Sequence, residues 1–132
     1  MGTRFLGRAL LAAALLLVGG CREGVWVDVT EHGDGIEIAV SPRTTLTQPC
    51  VDSLSVYSGD DEATAIWQVS HANDRGCVSR FIIGVTPPGF APGVAYRPPV
   101  RGVTYRVDVS GTSFIGGSTF VVGGRDGRIG HG

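Results

Sequence analysis

The sequence predicts an all-β domain with about seven short antiparallel strands, arranged as a sandwich or a small barrel. Apolar residues alternate with polar ones in segment after segment, which is the period of a half-buried strand. Glycine, proline and aspartate separate these segments, as is typical of turns. No stretch shows a sustained helical period. Short strands with frequent turns indicate an all-β fold.

Two consecutive strands open the domain. Valines alternate with polar residues and Trp26 over 25–30, and a second alternating segment runs over 36–41. Pro42 ends this second strand, because proline cannot donate a ladder hydrogen bond. The glycine-containing stretch 32–35 between the two strands predicts a turn.

Five more strands follow a polar loop at 43–50. Leu54 and Val56 share one face of the third strand, because alternate residues point to the same side. Val85 is expected to point inward at the end of the fifth strand, and the clearest alternation in the chain runs over 103–109. The five strands are expected near 54–57, 64–70, 81–85, 103–109 and 118–122.

Two segments do not fit this pattern. The stretch 86–101 is rich in proline, which removes ladder donors and favours extended backbone, so it is expected to be a loop and not a strand. It is longer than most loops of compact domains, and such loops are often functional. The glycine-rich tail 123–132 has almost no apolar residues and is expected to be disordered.

Three cysteines are present, and two of them form a candidate disulfide. Cys50 precedes the third strand and Cys77 follows the fourth, so an antiparallel pairing of these strands brings both to the same end. A structural bridge fits an extracytoplasmic chain, where disulfides persist. A metal-binding pair and a reactive thiol are the alternatives, although two cysteines without a nearby histidine pair do not complete a zinc site.

The N-terminal segment has the anatomy of a secretory signal, with Arg4 and Arg8 before an apolar run. Its end, residues 18–21, resembles a bacterial lipobox. This resemblance implies that Cys21 is acylated and becomes the first mature residue. Arg22 rather than aspartate follows the acylated cysteine. In enteric-type lipoprotein sorting, this resemblance implies attachment to the outer membrane, with the domain facing the periplasm. An ordinary secretory peptide and a transmembrane helix are the alternatives, although about 20 apolar residues are needed to span a membrane.

The predicted organisation is therefore a signal at 1–20, a lipidated tether at 21–24, one domain at 25–122 and the tail at 123–132. Removing the signal leaves nine basic residues, all arginine, against twelve acidic ones. The resulting charge of −3 argues against nucleic-acid binding, which needs a concentrated basic face.

Two strands resemble those of fibronectin type III domains. The segment 102–109 looks like their sixth strand, in which a tyrosine, here Tyr105, stands near the start. The segment 36–42 is similar to their second strand with its trailing proline. The resemblance implies an immunoglobulin-like sandwich, loosely covering 25–122, and a transthyretin-like sandwich is the alternative. Val40 stands where that family often has its core tryptophan, and Arg101–Gly102 replaces a Pro-Gly pair.

Two groups of residues are candidates for a binding surface. Trp26 and Trp67 lie opposite the regular aliphatic rows of their strands, so both are expected on the outer face, although a register error of one residue would bury Trp67 and expose Ile66 instead. Aromatic and arginine side chains on the proline-rich segment form the second group. The alternative is that this segment packs its own aromatic rings against the domain. Its members are Phe90, Tyr96 and Arg97.

No arrangement of residues predicts catalysis. His32, His71 and His131 fall in turns or the tail, and no nucleophile elbow motif is present. The acidic stretch 60–62 lacks the spacing of a calcium loop. We therefore expect a non-enzymatic lipoprotein without a cofactor or metal, which binds an envelope protein partner through an edge strand or the 86–101 loop. A carbohydrate or peptidoglycan binder that uses the tryptophans is the alternative, and a hydrolase is a third hypothesis.

Overall fold

The computed structural model describes residues 23–33, 35–43, 48–59, 61–73 and 76–123. The expected signal, Cys21 and nearly all of the expected tail lie outside these residues. The first strand, β1, begins at Glu23, so Glu23 and Gly24 belong to this strand and not to a tether. The described residues include no helix, and hence none long and apolar enough to cross a membrane.

The residues that the structure describes form an all-β fold, as predicted, but they contain eight strands and not about seven. All eight belong to one sheet, in the order β5-β2-β1-β8-β7-β3-β4-β6. Neighbours are antiparallel except β1 and β8, which pair in parallel through two residues of each strand. The expectation of a wholly antiparallel arrangement is therefore wrong at this one pair. The strands are β1 (Glu23–His32), β2 (Gly35–Pro42), β3 (Ser53–Ser58), β4 (Asp61–His71), β5 (Arg80–Ile82), β6 (Phe90–Pro92), β7 (Thr104–Ser110) and β8 (Phe114–Val121).

One hydrophobic core holds the sheet together. Every strand contributes at least one buried apolar residue to the same cluster, and Trp67, Phe81 and Phe120 are its largest fully buried members. A sheet that buries one face in a single core must curl so that its two ends face each other. Burial of this apolar surface is the main force that stabilises the curled arrangement.

The β1–β2 hairpin follows the predicted alternation. Val25, Val27 and Val29 are buried, and the residues between them face outward. The register pairs Trp26 with Ser41 and Val25 with Pro42. The N-terminal end of β1 therefore lies beside the C-terminal end of β2.

The disulfide between Cys50 and Cys77 is present, which confirms the prediction. The two Cα atoms lie 4.7 Å apart, and 27 positions separate the residues in sequence. Cys50 precedes β3 and Cys77 follows β4, and these strands are antiparallel neighbours. The expected geometry therefore explains the bridge.

The fifth strand is shorter than predicted. β5 ends at Ile82, and Ile83 is still buried while its N–H donates to the carbonyl of Ile36. The chain then turns at Gly84, whose φ is +89°. Val85 is consequently 57% exposed, so the expectation that it points inward is wrong.

A strand that the sequence did not predict lies in the proline-rich segment. β6 pairs with the end of β4 and places Pro92 opposite Val69. Proline is tolerated there because β6 is the last strand of the sheet and needs donors on one side only. The expectation that all of 86–101 is a loop is wrong for these three residues.

The last strand begins four residues earlier than predicted, at Phe114. Gly116 and Gly117 weaken the strand signal in the sequence, since glycine has low β-propensity. At Gly116, the absence of a side chain has a structural reason. A Cβ at Gly116 would lie 2.6 Å from Cγ2 of Val25, so the side chains of β1 fit against β8 only if this residue is glycine.

Candidate binding surfaces

The structure separates the two tryptophans. Trp26 lies on the outer face of β1 and is 52% exposed, as expected. Trp67 is 1% exposed and belongs to the core, so the expectation that it lies on the outer face is wrong. It is not available to a ligand in this structure.

A β-bulge in β4 explains the burial of Trp67. Val56 of β3 pairs with Trp67, but the next residue, Tyr57, pairs with Ala65, so Ile66 is an extra residue. A bulge of this kind interrupts the alternation of side chains. Ile66 and Trp67 are therefore both buried, which neither of the two predicted registers allowed.

Trp26 is covered on one side by an arginine that sequence analysis missed. The guanidinium carbon of Arg43 lies 4.3 Å from the centroid of the indole ring, within the range of a cation–π contact. The same guanidinium lies 3.4 Å from the position of a Cβ on Gly24, so it extends across β1 where no side chain blocks it. We call Gly24, Trp26 and Arg43 the Trp26 site.

The hairpin register contained the signal for Arg43. His32 pairs with Gly35, and each step away from this turn moves one residue back in β1 and one forward in β2. Continuing this count places Arg43 opposite Gly24. A register drawn from the predicted turn at 32–35 would therefore have placed the arginine beside Trp26.

A cavity of about 270 Å³ adjoins the Trp26 site at the N-terminal end of β1. Its described lining includes a guanidinium and two hydroxyl groups and no carboxylate. Such a lining favours an anionic or polar group. The residues that give it this character are Arg43, Gln48, Thr112 and Ser113.

Phe90 is part of the core edge and not of the surface. It is 9% exposed, its ring stacks on His71 with centroids 4.8 Å apart, and it meets Phe81 edge-on at 5.6 Å. Backbone hydrogen bonds hold the following residues against β4. The N–H of Gly93 donates to the carbonyl of Gln68 at 2.8 Å. The first half of the proline-rich segment therefore packs on the domain.

The second half of the segment exposes its side chains. Tyr96 is 44% exposed and Val100 is 59% exposed. The ring of Tyr96 lies against Gly84, with its Cζ 2.7 Å from the position of a Cβ there. Partial burial of the phenol raises the pKa of Tyr96 above its ordinary value of 10.0. We call Val85, Tyr96, Arg97 and Val100 the distal surface.

The distal surface is held by hydrogen bonds and borders a groove. The N–H of Arg97 donates to the carbonyl of Ile66 at 2.9 Å, and the N–H of Val100 donates to the hydroxyl of Tyr105 at 2.6 Å. Arg97, Val100, Ile66 and Tyr105 also line a groove of about 400 Å³. The distal surface therefore combines an ordered backbone with exposed apolar and cationic side chains.

The described histidines lie beside carboxylates. His32 is 3.4 Å from Glu37, and His71 is 3.7 Å from Asp52, which also accepts a hydrogen bond from Thr112. Within the described ranges, no three His, Cys, Asp or Glu side chains are placed to share a metal ion. His131 and Asp60 lie outside these ranges.

Searches of protein-family models, curated proteins and solved structures found no match to this chain.

Proposed function

We propose that this chain is a lipid-anchored, non-enzymatic binding module of the bacterial envelope, attached through Cys21 to the outer membrane and facing the periplasm. One observation carries the proposal. β1 begins two residues after Cys21, and the distal surface lies at the other end of the domain. A protein anchored at its N-terminal end would therefore present Tyr96 and its neighbours away from the bilayer.

Hydrogen bonds and strand pairings support these opposite positions. β8 runs parallel to β1, and its last residue, Val121, pairs with Thr104 at the start of β7. Tyr105 follows and binds the backbone of Val100. The ring of Tyr96 contacts Gly84. The preceding residue, Ile83, donates its N–H to the carbonyl of Ile36, near the turn of the β1–β2 hairpin.

An immunoglobulin-like sandwich is the finer fold that we propose. Tyr105 is 2% exposed at the start of β7, and its hydroxyl binds a backbone N–H five residues upstream. This arrangement matches the tyrosine corner of such sandwiches. β1 also joins two parts of the sheet, since it pairs with β2, beside β5, on one side and with β8, beside β7, on the other. A transthyretin-like sandwich remains the alternative.

The composition of the distal surface favours a protein partner. Tyrosine and arginine are enriched among the residues that dominate binding energy at protein interfaces. Arg97 and Val100 are held by backbone hydrogen bonds, so binding would lose little conformational entropy. The groove beside them is large enough to receive a side chain of the partner.

Photo-crosslinking in intact cells tests this function. A photoreactive phenylalanine analogue at Tyr96 should capture one dominant envelope protein. The matched control places the same analogue at Ile115, which is 51% exposed at the opposite end of the domain. The chain has no lysine, so amine-reactive reagents find no side chain to modify. Equal labelling from both positions, or none from Tyr96, would contradict a partner at the distal surface.

Membrane fractionation tests the anchor separately. Cys21→Ser removes the acylated sulfur and should release the protein into the soluble fraction. A single acyl chain gives only marginal membrane binding, so firm attachment requires the several chains of a mature lipoprotein. Membrane association that persists in Cys21→Ser would contradict lipid anchoring.

A carbohydrate or peptidoglycan ligand is the second candidate function, and exposure of the Trp26 indole is the observation that favours it. Two facts weigh against it. Trp67 is buried, and the guanidinium of Arg43 occupies the ring face on which a sugar would stack. Sedimentation with purified peptidoglycan tests the idea. Trp26→Ala should abolish co-sedimentation, and Val85→Ala, an exposed position on the distal surface, should preserve it, whereas equal co-sedimentation of both variants would exclude the site.

A further inference from the structure

The connection between Cys21 and the domain is short. Arg22 alone stands between Cys21 and Glu23, the first residue of β1. A chain spans at most about 3.6 Å per residue, so the Cα atoms of Cys21 and Glu23 lie within roughly 7 Å of each other. If the acyl chains at Cys21 enter the bilayer, the N-terminal end of β1 lies at the headgroups.

The Trp26 site lies at this end of the domain. Trp26 follows Glu23 by three residues, which corresponds to about 10 Å along a strand. Its indole is 52% exposed on the outer face of β1, and Arg43 lies over it. Tryptophan is enriched at membrane–water interfaces, where its amphipathic ring sits at the level of the headgroups.

The charge of the adjoining cavity lining also suits a phospholipid surface. Arg43 is the only charged residue among the described residues that line the adjoining cavity. The cavity additionally presents the hydroxyl of Ser113, while the hydroxyl of Thr112 donates to the carboxylate of Asp52 at 3.4 Å. A guanidinium binds a phosphate with two parallel hydrogen bonds, and basic residues near an anionic membrane surface are attracted to it.

We propose that Trp26 and Arg43 contact the headgroup region of the membrane that holds the anchor, so that the domain tilts onto the outer face of β1. This inference rests on the proposed acylation of Cys21. Asp28 points to the same outer face, one pleat farther from Cys21. Its carboxylate is repelled by an anionic surface and limits how far the domain can tilt. The distal surface then stays directed away from the lipid.

Quenching of tryptophan fluorescence by lipid tests the contact. The full acylated chain is purified from membranes and reconstituted into vesicles of phosphatidylcholine and phosphatidylglycerol, with and without bromine on the acyl chains. Trp26 and Trp67 are the only tryptophans in the chain. Trp67 is buried in the core, so the variant Trp26→Phe reports the emission of Trp67 alone. The difference in emission between the native chain and Trp26→Phe is the emission of Trp26, and we expect brominated lipid to remove most of it.

Two further variants sharpen the test. A second substitution, Tyr96→Trp in the Trp26→Phe chain, places a reporter on the distal surface and should show no quenching. Arg43→Gln should reduce the quenching of Trp26 more on anionic vesicles than on vesicles of phosphatidylcholine alone, because both lipids offer a phosphate but only the anionic surface also attracts the guanidinium by its net charge. Unchanged quenching on anionic vesicles would overturn the role of Arg43.

The outcomes distinguish this inference from the proposed anchor. An unmodified Cys21 in the mass spectrum of the purified chain would overturn both. An acylated, vesicle-bound chain in which Trp26 is quenched no more than the Tyr96→Trp reporter would overturn the membrane contact and leave the anchor intact. Emission that responds to soluble peptidoglycan fragments but not to brominated lipid would assign Trp26 to the carbohydrate ligand instead.

Discussion

The substitution Tyr105→Phe tests the hydrogen bond that joins the distal surface to the core. The hydroxyl of Tyr105 accepts the N–H of Val100 at 2.6 Å, while the ring is buried and stacks on Phe120 with centroids 5.5 Å apart. Phenylalanine keeps the ring and its packing and removes only the hydroxyl. The change therefore isolates one hydrogen bond from the surrounding apolar contacts.

The expected cost follows from the surroundings of both partners. A typical intramolecular hydrogen bond contributes about 1 kcal/mol to stability, and an unsatisfied buried donor costs more. Val100 is 59% exposed, so water can reach its N–H after the substitution. We therefore expect Tyr105→Phe to lower the free energy of unfolding by about 1 kcal/mol, which corresponds to roughly 4–8 °C in Tm for a domain of this size.

Urea denaturation and amide hydrogen exchange measure the two consequences. The midpoint of unfolding should decrease without a change in slope, and protection of the Val100 amide should fall more than that of the buried strands. Tyr57→Phe is the matched control, because Tyr57 is a partly exposed tyrosine on the neighbouring strand β3, with its ring 5.1 Å from the guanidinium carbon of Arg106. A loss of stability in Tyr105→Phe no greater than in Tyr57→Phe would refute the reasoning.

Three further predictions concern the disulfide and the distal surface. Replacing both Cys50 and Cys77 by serine should lower the free energy of unfolding by about 3.5 kcal/mol, from the chain entropy of a 27-residue loop, and a loss below about 1 kcal/mol in urea denaturation would contradict this. Gly84→Ala should destabilise the domain more than Gly102→Ala in thermal unfolding, because both positions have positive φ but only the first Cβ meets the ring of Tyr96; equal losses would exclude the collision. Near-ultraviolet titration should show Tyr96 ionising above pH 10.0. Because the folded state favours the protonated phenol, the contribution of this group to stability should be intact below that pH and should decrease as pH rises through the folded pKa. A midpoint for Tyr96 at or below its ordinary value would contradict the burial of its phenol.

Side-chain alternation was sufficient to predict most of the strands, because one face of each is buried and the other is not. It was insufficient where the backbone departs from regular pairing. The bulge at Ile66 buries two consecutive residues of β4, and the glycine pair in β8 leaves few side chains to show a pattern. β6 was missed for a different reason, since Pro92 is acceptable in a strand only at the edge of a sheet.

The candidate surfaces were likewise predictable from the sequence only where the strand that carries them is regular. Exposure of Trp26 follows from the regular alternation of β1, and the sequence predicted it. Trp67 is buried because β4 contains a bulge. Phe90 is buried by contacts with His71 on β4 and Phe81 on β5. The position of Arg43 over Trp26 depends on the register of the β1–β2 hairpin, which follows from the turn at 32–35.

The sequence by itself determined the all-β class, the order of most strands and the cysteine pair. These features depend on local periodicity, turn residues and spacing, which are properties of neighbouring positions. Only the tertiary structure decided that the strands form one curled sheet, that β1 pairs in parallel with β8, and that Tyr105 holds Val100. Those features depend on contacts between residues distant along the chain, because burial of one shared core selects among many pairings that local patterns allow equally.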